Sequence, residues 1–248
     1  MMHASRLLPL LFLALAGCRS VAAPPTFAWR GIDPALAEMS RRAAAITTAS
    51  GTAALTLRRA DGNEVRLDAA FAARPPQSLR VRAWKFDRAV ADWTLTDEGV
   101  WAWQSADAQE RAPAMTPWTG GHSAIWPLLF GIVERRPDDQ IADDGSATFQ
   151  LRRHIGQVRA VVVIDRATLT VVECRVLGAH GGLIQGAKLH DYRLIGGQLW
   201  PMRVIADGQG GTFTIHFNEV TLNEDLAPDA FKPPARAKLL RGGDAPGP

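Results

Sequence analysis

Histidine, cysteine and acidic residues are the side chains here that could do covalent or metal chemistry, and their spacing permits little of it. His122, His154, His180, His190 and His216 are far apart, and no two stand at the spacing of zinc ligands on one element. His190-Asp191 could be part of a dyad, but a polar pair at a strand end reads the same way. His180-Gly181-Gly182 resembles an oxyanion loop only superficially, since no Gly-x-Ser-x-Gly turn accompanies it to carry a nucleophile. Asp138-Asp139 and Asp143-Asp144-Gly145 lack the regular ligand spacing of a calcium loop and read as acidic turns. We therefore assign no catalytic residue, no metal and no cofactor, and read the chain as a binding protein and not an enzyme. Two thiols remain. Cys174 lies in Val171-Val172-Glu173-Cys174-Arg175-Val176, where strand alternation groups it with Val172 and Val176. It is either a buried small hydrophobe or, alone in an oxidising compartment, a reactive thiol.

Cys18 has a defined chemical context. His3 and Arg6 precede the apolar run from Leu7 to Leu15, and small residues follow at Ala16 and Gly17, which is the order of an export signal. A run of about ten residues is too short to span the hydrocarbon core as a helix. Leu15-Ala16-Gly17-Cys18 resembles the lipobox of bacterial lipoproteins, which implies removal of residues 1–17 and a diacylglyceryl group on the Cys18 thiol. An ordinary cleaved signal with an accidental Cys18 is the alternative. Lipidation would leave Cys174 without an intramolecular disulfide partner. Arg19 stands where an Asp is associated with inner-membrane retention in enteric bacteria, so analogy favours an outer-membrane anchor facing the periplasm.

The remaining elements must position whatever the body binds. The 248 residues are 47% hydrophobic and 21% charged, an ordinary globular composition with ample chain for a core. Net charge is +3, but Lys and Arg are scattered with no basic run, which argues against a nucleic-acid partner. Residues 18–32 read as a tether. Asp33-Pro34 offers a helix cap and first turn, and Leu36, Met39, Ala43 and Ile46 give residues 34–49 one apolar face. From Thr52 the period becomes two, and turn signals such as Asp61-Gly62-Asn63 and Gly196-Gly197 divide the chain into about eleven strands. Ser123 could cap a second short helix through Ile125, Leu128, Leu129, Ile132 and Val133. Residues 235–248 read as a fraying tail. The expected fold is mainly β with helices: a single unclosed antiparallel barrel of about eleven strands covered by helices.

Four stretches within residues 33–234 resemble the LolA and LolB family of lipoprotein carriers and receptors. They are Phe71-Ala72-Ala73-Arg74-Pro75 with the strand from Leu79 to Trp84; the turn and aromatic strand from Leu95 to Trp103; the segment around Trp126-Pro127-Leu128-Leu129; and Phe213 to Asn223 followed by Phe231-Lys232-Pro233-Pro234. The resemblance implies a half-open barrel with a helical lid over an apolar cavity for acyl chains. It also makes Arg74 a lid-clamp candidate, although a solvated loop arginine beside two prolines fits the same sequence. Glu98, between the Asp and Gly of the turn, departs from the family pattern, and a lipobox departs from the soluble carrier.

Tryptophan usage points the same way. Six of the eight Trp, at 84, 93, 101, 103, 118 and 126, fall between the third strand and the second helix, and Tyr192 is the sole tyrosine. That bias fits an apolar lining better than a sugar or polar-ligand site. Trp84, Trp93, Trp101, Trp103, Trp126, Leu128 and Leu129 are thus cavity-lining candidates, with core filling the other role open to them. Met115 and Trp118 occupy a Pro-rich loop and are candidates for insertion into a membrane interface or a partner, or for folding back onto the core. The functional expectation is a lipid-anchored envelope protein that binds acyl chains or lipoproteins. The second expectation is an interaction or sensing module that docks an envelope protein without lipid transfer.

Overall fold

The computed structural model of the chain describes residues 24–106, 125–208 and 211–240. Helix α1 (Ile32–Ala44) precedes five strands, β1 (Ala49–Arg59), β2 (Glu64–Arg74), β3 (Ser78–Lys85), β4 (Arg88–Thr96) and β5 (Gly99–Gln104). A single π-helical turn, Trp126–Phe130, separates these from β6 (Gln140–Ala142), β7 (Thr148–Ile155), β8 (Val158–Asp165), β9 (Val171–Leu177), β10 (Leu183–Ile195), β11 (Gln198–Gly208), β12 (Gly211–Leu222) and β13 (Lys238–Leu240). All thirteen strands form one antiparallel sheet in the order β13-β5-β4-β3-β2-β1-β12-β11-β10-β9-β8-β7-β6. Two meanders, β1 to β5 and β6 to β12, join side by side through β1 and β12. The outer edges, β13 and β6, do not pair, so the sheet is unclosed.

Alternation along each strand sends one row inward. Leu55 and Leu57 on β1, Leu67 and Phe71 on β2, Leu151 on β7, Val162 on β8 and Trp200 and Val204 on β11 are buried together. At the seam, the register shifts between Thr52 and Ala53, where β12 carries one extra residue, Asn218, and bends. Gly51 sits there against the carbonyl oxygen of Glu219, leaving no room for a Cβ.

The strand count exceeds the sequence expectation by two, β6 and β13, each three residues long and too short to carry a period-two signal. β13 also corrects the tail: Leu239 and Leu240 pair with Trp101 and Val100 on the open edge of β5, so residues 235–240 are placed and do not fray. Helical cover is much smaller than expected. α1 ends at Ala44, five residues early, because tertiary hydrogen bonds claim the following backbone: Asn223 Nδ2 donates to the Ala45 carbonyl at 2.8 Å, and the Thr47 amide donates to Asn223 Oδ1 at 2.8 Å. Asp33 is not the cap. Gly31 holds that position without a side-chain bond, and Asp33 pairs with Arg135 at 3.1 Å. On β9, a register shift makes Val171, not Val172, the inward companion of Cys174 and Val176.

Candidate functional site

The turn Trp126–Phe130 stands where the resemblance implies a lid, and all five of its residues are buried. Pro127 is tolerated in the first turn, where its missing N–H costs no helical bond. Gly131 ends the turn at φ 66°, and a Cβ there would collide with the Tyr192 hydroxyl. That hydroxyl donates to the Val171 carbonyl at 2.8 Å, and burial pushes its pKa up. The turn packs on β9, β10 and β11. On the opposite wall, Trp126 Nε1 donates to the Pro76 carbonyl at 3.0 Å, latching the lid to the corner between β2 and β3. Arg74, the expected clamp, lies at that corner with its guanidinium 5.3 Å from the Phe231 ring centroid, and its side chain makes no hydrogen bond to a described lid residue.

Trp126→Phe removes the latch and keeps a large ring. Loss of one neutral hydrogen bond should raise amide exchange across residues 125–131 by roughly three- to tenfold. Unchanged exchange would show that packing alone holds the lid.

Among the described residues, two spaces beside the lid differ in size. The smaller is a cavity of about 50 Å³ inside the barrel, lined by Phe71, Trp93, Leu95, Val100, Leu129 and Phe130 among others. An aromatic cluster plugs this region, with Phe130 5.1 Å and Phe71 6.0 Å from the Trp200 ring, and Phe217 5.2 Å from Phe71. Beside the lid opens a cleft of about 610 Å³ between the end of α1, the Arg74-Pro75-Pro76 corner, the lid exit and strands β7 and β8. Ile46, Leu151 and Val162 give it an apolar wall. Arg153 follows Leu151 on the same inward row and would carry an isolated charge into this wall. Asp139 prevents that, accepting from Arg153 Nε and Nη2 at 2.7 Å each, while Arg153 Nη2 also donates to the Glu134 carbonyl at 2.6 Å.

The tryptophans divide between the faces. Trp93 and Leu129 line the inner cavity, Trp126 lines the cleft, and Leu128 is buried in the lid. Trp101 and Trp103 share a face, but it is the outer one, which corrects the expected lining. The register Leu95↔Val100 and Trp93↔Ala102 puts Val100 and Ala102 inward, so a one-residue offset at the Gly99 turn decides the matter. Trp84 pairs with Asp68 and is also outward. On that outer face Asp92 is buried, held by Arg80 at 2.8 Å and Arg82 at 3.3 Å, and Arg80 reaches the Ala230 carbonyl of the C-terminal segment. Cys18, Met115, Trp118, His122 and Ser123 lie outside the described residues.

Sequence reasoning passed over Phe130, Trp200 and Phe217 as a unit, although Trp200, Met202 and Val204 show the alternation that buries them. It also missed Phe86, 85% exposed on the two-residue turn between β3 and β4. Several of the residues weighed for chemistry have partners within the fold. Cys174 is fully buried and its thiol is pushed up to about 12, chiefly by burial. Asp191 pairs with Arg203 at 3.0 Å, and burial together with Arg203 holds His190 below its ordinary value. Asp143 pairs with Arg166, and Asp144 accepts from the Ser146 amide at 2.9 Å. Among the described residues no three His, Cys, Asp or Glu side chains come together as a metal site, and no helix is long and apolar enough to cross a membrane.

No family model matches the sequence, and no curated protein matches it significantly. Solved structures do match the fold. The LolA superfamily protein of Nitrosomonas europaea is 12% identical, aligned over 79% of this chain and 97% of its own, at a TM-score of 0.54. An outer membrane lipoprotein-sorting protein domain from Vibrio parahaemolyticus is 10% identical over 80% of this chain and 95% of its own, at 0.55. A DUF1329 family protein from Desulfovibrio piger is 11% identical over 80% and 95%, at 0.54. At such low identity the likeness is one of architecture, and the architecture is LolA-like: a mostly β, unclosed antiparallel sheet with few helices.

Proposed function

We propose that this chain is a lipid-anchored envelope protein that binds acyl chains, of lipoproteins or of free lipids, in the cleft beside the lid. The supporting observation is the cleft itself: about 610 Å³ with an apolar wall, next to a turn that the Trp126 side chain bonds across the barrel. That volume lies within the usual range for small-molecule pockets, and each buried methylene contributes roughly 0.8 kcal/mol. Phe86 lies at the other end of β3 from the corner that lines the cleft. An exposed ring flanked by Lys85 and Arg88 suits contact with a bilayer that has an anionic surface. The lipoprotein-sorting description of the Vibrio domain accords with this reading. The anchor is Cys18, at the outer membrane and facing the periplasm, and the chain acts without covalent chemistry.

Native mass spectrometry of the chain purified from membranes tests the reading. Co-purifying acyl ligand, lost on opening the cleft with detergent, is the expected result; a ligand-free body across preparations would sink it. Cys18→Ser should abolish signal processing and lipid attachment, so that the uncleaved precursor accumulates and takes up no labelled diacylglycerol. Normal maturation in that variant would dismiss lipidation as the anchor. The second reading, a module that docks an envelope protein, draws on the plugged interior of about 50 Å³, and a ligand-free body would favour it.

A further inference from the structure

The charges around the cleft divide by depth. Ile46, Leu151 and Val162 on its wall are buried and apolar, whereas Arg74, Glu134 and Arg136 on its lining are exposed. Arg153 adds no free charge, because Asp139 matches it inside the wall. Among the described residues Arg74 has only the Phe231 face as partner, which leaves its guanidinium donors available. Arg136 uses its backbone amide on Asp139 at 2.7 Å, while its side chain has no carboxylate partner among the described residues. Two guanidinium groups therefore face one free carboxylate, Glu134, and the rim carries a net positive charge. An apolar wall with a cationic rim is complementary to one kind of molecule.

We propose that the cleft takes an amphiphile with an anionic head, carboxylate or phosphate, held by Arg74 and Arg136 while its chain lies against Ile46, Leu151 and Val162. The inference rests on the acyl-binding reading and names the ligand class for it. Guanidinium groups suit both heads, since their planar donors meet two oxygens at once.

The test uses residues 18–248, expressed without the signal and carrying Cys18→Ser, so that neither anchor nor signal can compete. Binding of dodecanoate, lauroyl lysophosphatidic acid, monolauroylglycerol and inorganic phosphate is measured by displacement of a fluorescent fatty acid and by calorimetry. The two anionic amphiphiles should bind about tenfold more tightly than the neutral glyceride, the lower end for charge-assisted hydrogen bonds. The double variant Arg74→Gln, Arg136→Gln should lose that preference and keep the affinity for monolauroylglycerol, which also shows that the fold survives. Lysine at both positions should restore part of the preference. Equal binding of anionic and neutral amphiphiles by the unsubstituted cleft would overturn the head-group assignment and leave the acyl reading standing. Phosphate binding as tightly as lysophosphatidic acid would overturn the amphiphile in favour of a free anion. Binding of none of the four would overturn the acyl reading itself.

Discussion

Phe130→Ala should destabilise the protein by about 3–5 kcal/mol, the usual cost of deleting a buried phenyl side chain. Phe130 is 3% exposed and lies within 5.1 to 6.1 Å of the Trp126, Trp200, Phe71 and Phe217 rings, so little around it can collapse into the gap. Its loss also changes what the interior can hold. The remaining cavity of about 50 Å³ would gain the phenyl volume in an apolar setting, and such engineered cavities stay dry and accept apolar guests. The variant should therefore unfold at lower urea and, under native conditions, bind an apolar fluorescent probe that the parent binds only in the cleft. Phe130→Leu, which refills most of the space, should lose less stability and gain no second probe site. A loss below about 1 kcal/mol for the alanine variant would mean that the aromatic cluster repacks freely, contrary to the close packing of protein interiors.

Asp139→Ala should have an effect of similar size by a different route. Asp139 is fully buried and Arg153 is 8% exposed, so removing the carboxylate strands a guanidinium in the apolar wall. Breaking a buried pair on one side typically costs about 3–5 kcal/mol. The Arg136 amide loses its acceptor too, which loosens the segment leading out of the lid. Replacing both partners, Asp139→Ala with Arg153→Met, removes the stranded charge and should recover much of the stability by urea unfolding. If the double variant is no more stable than Asp139→Ala, the loss comes from loop anchoring and not from charge burial.

Much of this fold was legible because strand alternation and turn chemistry are local signals. The eleven longer strands follow from runs such as Val65, Leu67, Ala69 and Phe71, and from turns such as Asp61-Gly62-Asn63, where Asp61 accepts from the Asn63 amide at 3.0 Å. What failed was decided elsewhere in the chain. The apolar face of α1 continues past Ala44 in the sequence, yet Asn223, a distant residue, claims the backbone there. Trp101 and Trp103 were rightly grouped on one face, but which face is inward depends on the register with β4. The corner at Arg74-Pro75 entered only through the resemblance, which made Arg74 a clamp candidate for the lid. The bond that holds it comes from Trp126 to a proline carbonyl, and a backbone acceptor leaves no trace in side-chain types. Arg153 and Asp139 lie fourteen positions apart on a strand and a loop, so no spacing rule joins them.

The seam between the two meanders has a consequence for biogenesis. Ala49 on β1 meets Leu222 on β12, so the join cannot form until all the strands between them have been made. Neighbouring hairpins close early at small entropic cost, whereas this contact must wait for a very long loop to close. Throughout that interval β1 offers unpaired amides and carbonyls to any strand nearby, the usual template for aggregation. In this topology the N-terminal meander is the part most in need of a chaperone during folding, and β12 is the strand whose arrival ends that need.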